Sequence, residues 1–350
     1  MGLFEDRLAS LPLKIDSYSL ERLEQEVSSG FLRVSTQIRL HGGDEEGVGE
    51  DVTYDAPDHD RLQEAGAVQP LAGEWTLGSF CDHVESLDLW PAPAEREASV
   101  HYRIWAYESA ALDLALRQAD TTLHEAVGRT PAPLTFVVSL RLGEPSTIEP
   151  LRKRLELYPD LRFKLDPTND WTPGLIAEIA ATGAVDSVDF KGHYSGSVVD
   201  VEPDQVLYEN VIGAFPGAWL EDPHEVLYDF VEPFRDRVTW DAPIHSVADI
   251  ESRPWPPKMV NIKPSRLGPL RALIAAYEYC EANKIAMYGG GQFELGEGRG
   301  QIQYLASLFH PHGPNDVAPG GYNRDDVEPG LPTSPIDPRP SSSGFRWGPG

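Results

Sequence analysis

Three acidic residues, Asp189, Glu221 and Asp241, each follow a short apolar run that is typical of a buried strand. Successive members are separated by about one strand–helix unit, so parallel strands would bring their carboxylates to one edge of a sheet. Converging carboxylates raise one another's pKa, and a hard divalent cation such as Mg²⁺ relieves that repulsion. The spacing alone also fits solvated loop residues or helix N-caps, so both interpretations stay open.

Two lysines flank these acidic positions. Lys164 lies near the end of an apolar run that comes one strand–helix unit before the run of Asp189. Lys263 ends the apolar run that follows Asp241 along the chain. A lysine that is desolvated at the end of a buried strand has a lowered pKa and can accept a proton. Beside a cation that binds a substrate carboxylate, it would remove the proton on the α-carbon. Alternatively, either lysine only neutralises the acidic cluster.

The elements that must position these residues begin near residue 134, where short β-branched or aromatic runs alternate with helical stretches. The runs are Leu134–Leu140, Leu161–Leu165, Val185–Phe190, Ala218–Leu220, Val238–Trp240, Met259–Lys263 and Lys284–Tyr288. Repeated strand–helix units build a parallel sheet. Seven runs, with an eighth near Ser307–Phe309, favour an eight-stranded barrel over an open sheet.

The N-terminal part has a different pattern, rich in strands. It predicts a strand at Phe31–Leu40, a turn at His41–Gly47, a returning strand at Val48–Tyr54 and a helix over Tyr102–Val127 that stops at Gly128. The tail Gly330–Gly350 is rich in Pro, Ser and Gly, which predicts a surface-hugging or disordered extension.

Composition excludes several classes of protein. Lys and Arg number 29 against 56 Asp and Glu, and the net charge of -27 disfavours nucleic acid and anionic membranes. Two cysteines are too few for a disulfide framework or a Cys-rich zinc site. No apolar stretch approaches the roughly 20 residues that cross a bilayer, and the N-terminus lacks a signal-peptide pattern. We therefore expect a soluble, cytoplasmic protein, whose acidity also suits a salt-adapted host or a biased genome.

Several segments resemble motifs of the enolase superfamily, most closely its muconate-lactonizing branch of muconate cycloisomerases, o-succinylbenzoate synthases, N-succinylamino-acid racemases and dipeptide epimerases. The strongest match is Val260–Gly268, which is similar to the sixth-strand lysine motif of that branch. The other matches are Tyr288–Arg299 with Leu305–Leu308 (seventh strand), Trp219–Pro223 (fourth strand), Asp241–Ser246 (fifth strand), Glu108–Leu114 (the helix entering the barrel) and Gly47–Glu50 (the capping-domain hairpin).

The resemblance implies an α/β fold, a modified TIM (β/α)7β-type barrel with an N-terminal α+β capping domain. We place the capping domain at residues 1–130, the barrel at 131–312 and a C-terminal segment returning to the cap at 313–350. The resemblance also implies Mg²⁺, or alternatively Mn²⁺, held by Asp189, Glu221 and Asp241. Lys263 is implied as one acid/base group, with the Lys-x-Lys pair of the second strand on the other side. The shared reaction is removal of a proton α to a carboxylate, giving a metal-stabilised enolate.

Two positions depart from the family pattern. The second lysine of the Lys-x-Lys pair is Asp166 here, so only Lys164 remains. This argues against proton transfer between two bases unless Asp166 or Lys164 takes the second role. In the family, an asparagine commonly stands two residues after the third-strand aspartate, and Lys191 takes that position here, where it could steer a substrate carboxylate or partly replace the metal.

Three functions follow. The first is an enolase-superfamily lyase or isomerase that completes a β-elimination (a dehydration of the o-succinylbenzoate synthase kind) or a cycloisomerisation with Lys263. The second is a racemase or epimerase of an amino-acid derivative or dipeptide, with Asp166 opposite Lys263. The third is a catalytically silent barrel that binds a ligand.

The expected partner is a small-molecule carboxylate. We predict that Lys191, Arg266 and Glu294 bind it and that capping-domain loops near residues 20–32 and 50–60 select it. The resemblance also makes a closed homo-oligomer plausible.

Overall fold

The computed structural model of the chain describes residues 2–26, 32–194 and 201–347. Its N-terminal part contains two antiparallel sheets and four α-helices. The strands are β1 (Pro12–Ile15), β2 (Ser17–Glu26), β3 (Leu32–Gly42), β4 (Glu45–Asp51) and β5 (Gly73–Thr76). The helices are α1 (Ala56–Ala65), α2 (Leu77–Ser86), α3 (Ser99–Gln118) and α4 (Leu123–Val127). Strand β3 pairs with both β2 and β4, and β1 pairs with β5.

Helix α3 packs closely on strand β4 because two glycines leave room for it. A Cβ atom at Gly47 would lie 2.2 Å from the carbonyl oxygen of Ala110, and one at Gly49 would lie 2.0 Å from that of Ala106. No larger residue fits such an approach of two backbones. Glu50 comes next on β4 and is carried to the boundary between the N-terminal part and the barrel.

The predicted single helix over Tyr102–Val127 is two helices, α3 and α4, joined by a turn. Thr122 begins α4, where its hydroxyl accepts a hydrogen bond from the backbone N–H of Glu125. Gly128 ends α4 in the left-handed conformation, with a φ of 68°. An apolar stripe continues through both helices, so periodicity alone does not reveal the break.

All seven predicted barrel strands are present, and they pair in parallel in chain order. They are β6 (Val138–Leu140), β7 (Phe163–Leu165), β8 (Val185–Asp189), β9 (Trp219–Glu221), β10 (Val238–Trp240), β11 (Met259–Ile262) and β12 (Ala286–Gly289). The helices of this part are α5 (Glu149–Leu157), α6 (Pro173–Ala181), α7 (Gln205–Ala214), α8 (Tyr228–Val231), α9 (Val247–Glu251), α10 (Pro264–Leu267), α11 (Leu270–Asn283) and α12 (Glu297–Phe309).

The predicted eighth strand at Ser307–Phe309 is wrong, because these residues end helix α12. A short apolar run does not distinguish a strand from a buried helix segment. The space between β6 and β12 is spanned instead by two later residues. Asn315 bridges to Phe136, and Asp316 bridges to Gly290. The chain thus has the predicted fold, a modified (β/α)7β barrel with an N-terminal α+β domain.

The C-terminal tail packs against the rest of the molecule as far as residue 347. Ile336 forms an antiparallel bridge with Leu134. Phe345 is fully buried, and its ring contacts Trp105 and Tyr304 edge-on and tilted, respectively. Its backbone N–H donates to Asp113 on α3 at 2.7 Å. Up to this point the tail is an ordered part of the fold rather than a disordered extension. Within the described residues, no helix combines the length and apolarity needed to span a membrane.

Candidate active site

The carboxyl ends of the barrel strands bring the predicted acidic residues together. Asp189 ends β8 and pairs in register with Glu221, which ends β9. Asp241 directly follows β10, and all three side chains are buried. One oxygen of each carboxylate lies within 4.8 Å of those of the other two. The chemistry of this donor set, three carboxylates at one edge of a barrel, fits a hard divalent cation.

Lys164, on β7, lies on one side of this carboxylate cluster. Its Nζ lies 3.1 Å from Asp189 Oδ2 and contacts Glu221 Oε1. A third carboxylate, Asp316, lies 3.6 Å away on the segment that closes the barrel. The alternative in which Lys164 neutralises the acidic cluster therefore has direct geometric support.

Two basic side chains lie against the remaining carboxylate. Lys263 directly follows β11, and its Nζ donates to Asp241 Oδ2 at 2.8 Å. Arg266, one turn later in α10, donates to Asp241 Oδ1 and to its backbone oxygen, both at 2.5 Å. The two predicted lysines are thus in one site but contact different carboxylates.

The two residues that depart from the family pattern meet at this site. The Nζ of Lys191 contacts Asp189 Oδ2, and it lies 3.4 Å from Asp166 Oδ1. The backbone N–H of Lys191 also donates to Asp189 Oδ1, at 3.1 Å. Lys191 has a φ of 56°, in the left-handed region that glycine and asparagine adopt more easily.

The electrostatics of the three carboxylates differ. Burial raises the pKa of each, and neighbouring cations oppose it. Lys164 and Lys191 bring the pKa of Asp189 below its ordinary value, and Arg266 with Lys263 does the same for Asp241. Burial and two neighbouring carboxylates outweigh Lys164 at Glu221, so the pKa of Glu221 is well above its ordinary value. A divalent cation would supply the positive charge that Glu221 lacks.

The lysines differ in the same way. Burial lowers the pKa of Lys263, with a further contribution from Arg266, and the ion pair with Asp241 does not reverse it. At Lys164, by contrast, Asp189 and Glu221 outweigh burial and hold the pKa well above its ordinary value. Lys263 is therefore the better candidate for a proton acceptor, and Lys164 is the better candidate for a permanent cation.

Sequence reasoning missed two residues that hold the carboxylate cluster in place. The hydroxyl of Tyr288, on β12, donates to Glu221 Oε2. Asp222 accepts hydrogen bonds from the backbone N–H groups of Asp241, at 2.9 Å, and Ala242, at 2.8 Å. Its φ of 46° marks a sharp turn after β9. The only sequence signal was their position in strand-end segments already singled out.

Of the predicted substrate-binding residues, Lys191 and Arg266 contact the cluster, as described above. Glu294 lies on the β12–α12 loop, where it pairs with Arg299 at 3.1 Å and accepts from the backbone N–H of Gln292 at 2.6 Å. Near the predicted loop at residues 50–60, the hydroxyl of Tyr54 donates to Gln292 Oε1 at 2.9 Å. In the other predicted loop, near residues 20–32, residues 20–26 belong instead to strand β2, and residues 27–31 lie outside the described residues. The substrate-binding roles stay predictions.

Comparison with known families finds matches over most of the chain. The models described as the N-terminal and C-terminal domains of a domain of unknown function (DUF8230) match residues 6–126 and 130–324. No curated protein sequence matches the chain.

Solved structures with the same fold are found at low sequence identity. An enolase-superfamily member from Listeria innocua Clip11262 has a TM-score of 0.64 and 18% identity, covering 87% of this chain and 86% of that one. Muconate cycloisomerase from Pseudomonas fluorescens has a TM-score of 0.63 and 19% identity, with coverages of 97% and 95%. A dipeptide epimerase from Methylococcus capsulatus, solved in complex with a Mg ion, has a TM-score of 0.64 and 18% identity, with coverages of 96% and 99%. These similarities establish a shared fold.

Proposed function

Because the chain belongs to the family defined by the N- and C-terminal DUF8230 domains and has the fold of the enolase superfamily, we propose that it is a Mg²⁺-dependent enzyme that removes a proton α to a substrate carboxylate. The observation that carries this proposal is the convergence of Asp189, Glu221 and Asp241 between Lys164 and Lys263. The substrate is proposed to be a small carboxylic acid.

The residues present fit a divalent cation. Asp189, Glu221 and Asp241 offer oxygen ligands at the carboxyl ends of three consecutive strands, and Mg²⁺ or Mn²⁺ accepts such ligands. When bound there, the cation would supply positive charge for the carboxylate of a substrate whose α-proton is leaving. The dipeptide epimerase that was solved with a Mg ion supports Mg²⁺ as the first cation to test.

Lys263 is proposed as the base. Its Nζ is buried, its pKa is lowered by that burial, and it is held at 2.8 Å from Asp241. After accepting the α-proton, the same Nζ can return a proton to a leaving group on the same face, which completes a syn β-elimination and releases water from a hydroxyl substrate. Lys164 remains an ammonium group that balances the developing negative charge. Cycloisomerisation needs the same single base and is the other outcome of this arrangement.

A second candidate is racemisation or epimerisation with Asp166 opposite Lys263. The observation that favours it is the pKa of Asp166, which burial raises to about 6 against the opposing effect of Lys191. A carboxyl group with that pKa exchanges protons near neutral pH. Deuterium incorporation at the α-carbon of both stereoisomers of a substrate would distinguish this reaction from elimination.

The thermal midpoint tests the metal site. We expect the thermal midpoint to be a few degrees higher in millimolar Mg²⁺ than in EDTA. A ligand at 100 times its Kd stabilises the folded protein by roughly 2.7 kcal/mol. Asp241→Asn should lose the rise. Where the rise occurs, carboxylic acids are screened for Mg²⁺-dependent deuterium exchange at the α-carbon. Absence of both the rise and the exchange would favour a barrel that binds a ligand without converting it.

A further inference from the structure

Lys191 lies between two carboxylates with different surroundings. On one side its Nζ contacts Asp189 Oδ2, an oxygen that Lys164 also approaches, to 3.1 Å. On the other side it lies 3.4 Å from Asp166 Oδ1. Asp166 is 9% exposed, and this Oδ1 atom is buried without a hydrogen-bond donor. A buried carboxylate oxygen without a donor is unfavourable, so Asp166 has unused capacity to accept a hydrogen bond.

A divalent cation bound by Asp189 would have to share this carboxylate with the ammonium groups that contact it, or displace them. Lys164 has two further carboxylates within reach, Glu221 and Asp316. Within the part of the chain that the structure describes, Lys191 has one other carboxylate within ion-pair distance, Asp166. Asp166 is therefore the described carboxylate that is available to pair with Lys191 when a cation binds Asp189.

The backbone of Lys191 need not move for this exchange. Its N–H donates to Asp189 Oδ1, so the start of the side chain is fixed beside the carboxylate cluster. The left-handed backbone conformation there would be less strained with glycine or asparagine. The ammonium group sits on a flexible four-carbon side chain, and it already lies 3.4 Å from Asp166 Oδ1.

We propose that Asp166 is a positioning residue that takes the ammonium group of Lys191 away from Asp189 and so opens the carboxylate cluster to a divalent cation. Lys191 and the cation compete for Asp189, and Asp166 shifts this competition towards the cation. This inference rests on the proposed metal-dependent function, but it concerns cation affinity rather than the reaction catalysed. It also links the two positions that depart from the family pattern, because Asp166 and Lys191 then act together as a pair of opposite charges.

A double-mutant cycle with Mg²⁺ alone, measured by titration calorimetry and repeated with Mn²⁺ by electron paramagnetic resonance, tests the proposal. Asp166→Asn removes the alternative partner of Lys191, so we expect cation affinity to fall by about 10-fold or more, the range typical of groups behind metal ligands. Lys191→Met removes the competitor, so affinity should rise by about 10-fold. In the double variant, affinity should equal that of Lys191→Met, since Asp166 then has nothing to hold.

Asp170→Asn is the matched control, because Asp170 lies on the same β7–α6 loop and bonds to Ser146 and Thr168 instead. It should leave cation affinity unchanged. Thermal unfolding in EDTA checks that each variant is folded, and Lys191→Met tests the competition independently should Asp166→Asn fail to fold. Unchanged affinity in Lys191→Met, or an equal loss from Asp166→Asn with and without Lys191, would overturn the proposal while leaving the metal-dependent function intact. Failure of every protein, wild type and Lys191→Met included, to bind either cation would overturn both.

Discussion

A buried carboxylate is stable only where cations or hydrogen-bond donors compensate for its lost hydration. Asp189 and Asp241 obtain this from lysine and arginine side chains, whereas Glu221 shares Lys164 and accepts a hydrogen bond from Tyr288. The pKa of Glu221 accordingly stays raised by its burial. The negative charge is therefore more fully compensated at Asp189 and Asp241 than at Glu221. A bound cation would supply the compensation that Glu221 lacks.

Lys263→Ala should reduce α-proton exchange of any substrate by about 10²–10⁴-fold, because it removes the proposed base. Proton nuclear magnetic resonance in deuterated water measures this exchange. Asp166→Asn is expected only to weaken the reaction. The exposed Lys258, just before β11, offers a matched control, and Lys258→Ala should react at the wild-type rate. Full exchange in the Lys263 variant would rule out the assignment of the base.

Among the elements, two glutamate side chains of the N-terminal part each accept hydrogen bonds from the start of a barrel helix. Glu50, at the end of β4, accepts hydrogen bonds from the backbone N–H groups of Leu295, Gly296 and Gly298 at the start of α12. Glu108, on α3, accepts one from Leu270 N–H at the start of α11, at 2.6 Å. Helix starts carry unpaired donors and a positive dipole end, so these contacts fix the barrel against the N-terminal part.

Glu50→Ala should lower the free energy of unfolding by about 2–4 kcal/mol, because it leaves one buried and two partly buried N–H groups without their acceptor. Glu50→Gln keeps an acceptor and should cost less. Urea-induced unfolding followed by circular dichroism measures both. The exposed Glu64 of α1 provides the control, since Glu64→Ala should remain close to wild type. A Glu50→Ala protein as stable as wild type would contradict the proposed role.

Glu108 predicts a pH dependence of stability. Burial, with a contribution from the neighbouring Glu85, raises the pKa of Glu108 to about 8. The backbone N–H of Leu270, the Cys81 thiol and Arg271 act in the opposite direction but do not outweigh burial. Because the folded-state pKa lies above the ordinary carboxyl value, the contribution of Glu108 is full below about pH 4 and is lost as the pH rises towards 8. The thermal midpoint of wild type should therefore fall over this range relative to that of Glu108→Gln, by at least about 2 °C. Parallel midpoint curves for the two proteins would show that Glu108 does not titrate in this way.

For the whole molecule, the net charge of -27 is the dominant long-range feature. Excess negative charge destabilises a compact chain by self-repulsion, which salt screens over about 10 Å at 0.1 M and about 3 Å at 1 M. We expect the thermal midpoint in EDTA to rise between about 0.1 M and 2 M KCl, most steeply at the low end where screening changes fastest. A midpoint that falls with salt would show that surface ion pairs outweigh the repulsion.

Local patterns in the sequence were enough to predict the seven barrel strands and the acidic residue that ends or follows three of them. Strand periodicity and flanking turns depend on neighbouring residues, and parallel pairing then fixes which strand ends share an edge. The family resemblance added the N-terminal capping domain and the modified barrel fold to this prediction. Structural similarity to solved proteins confirms the fold. The convergence of Asp189, Glu221 and Asp241 was therefore predictable as a hypothesis.

Contacts between distant residues were decided only by the tertiary structure. The pairing of Lys191 with both Asp189 and Asp166 depends on side-chain rotamers and on a left-handed backbone position. Closure of the barrel by Asn315 and Asp316, in place of Ser307–Phe309, depends on where the chain returns after α12. The hydrogen bonds of Glu50 and Glu108 to helix starts likewise join segments far apart in the chain. No local period encodes such contacts, because their energy comes from burial and charge that exist only after the chain has folded.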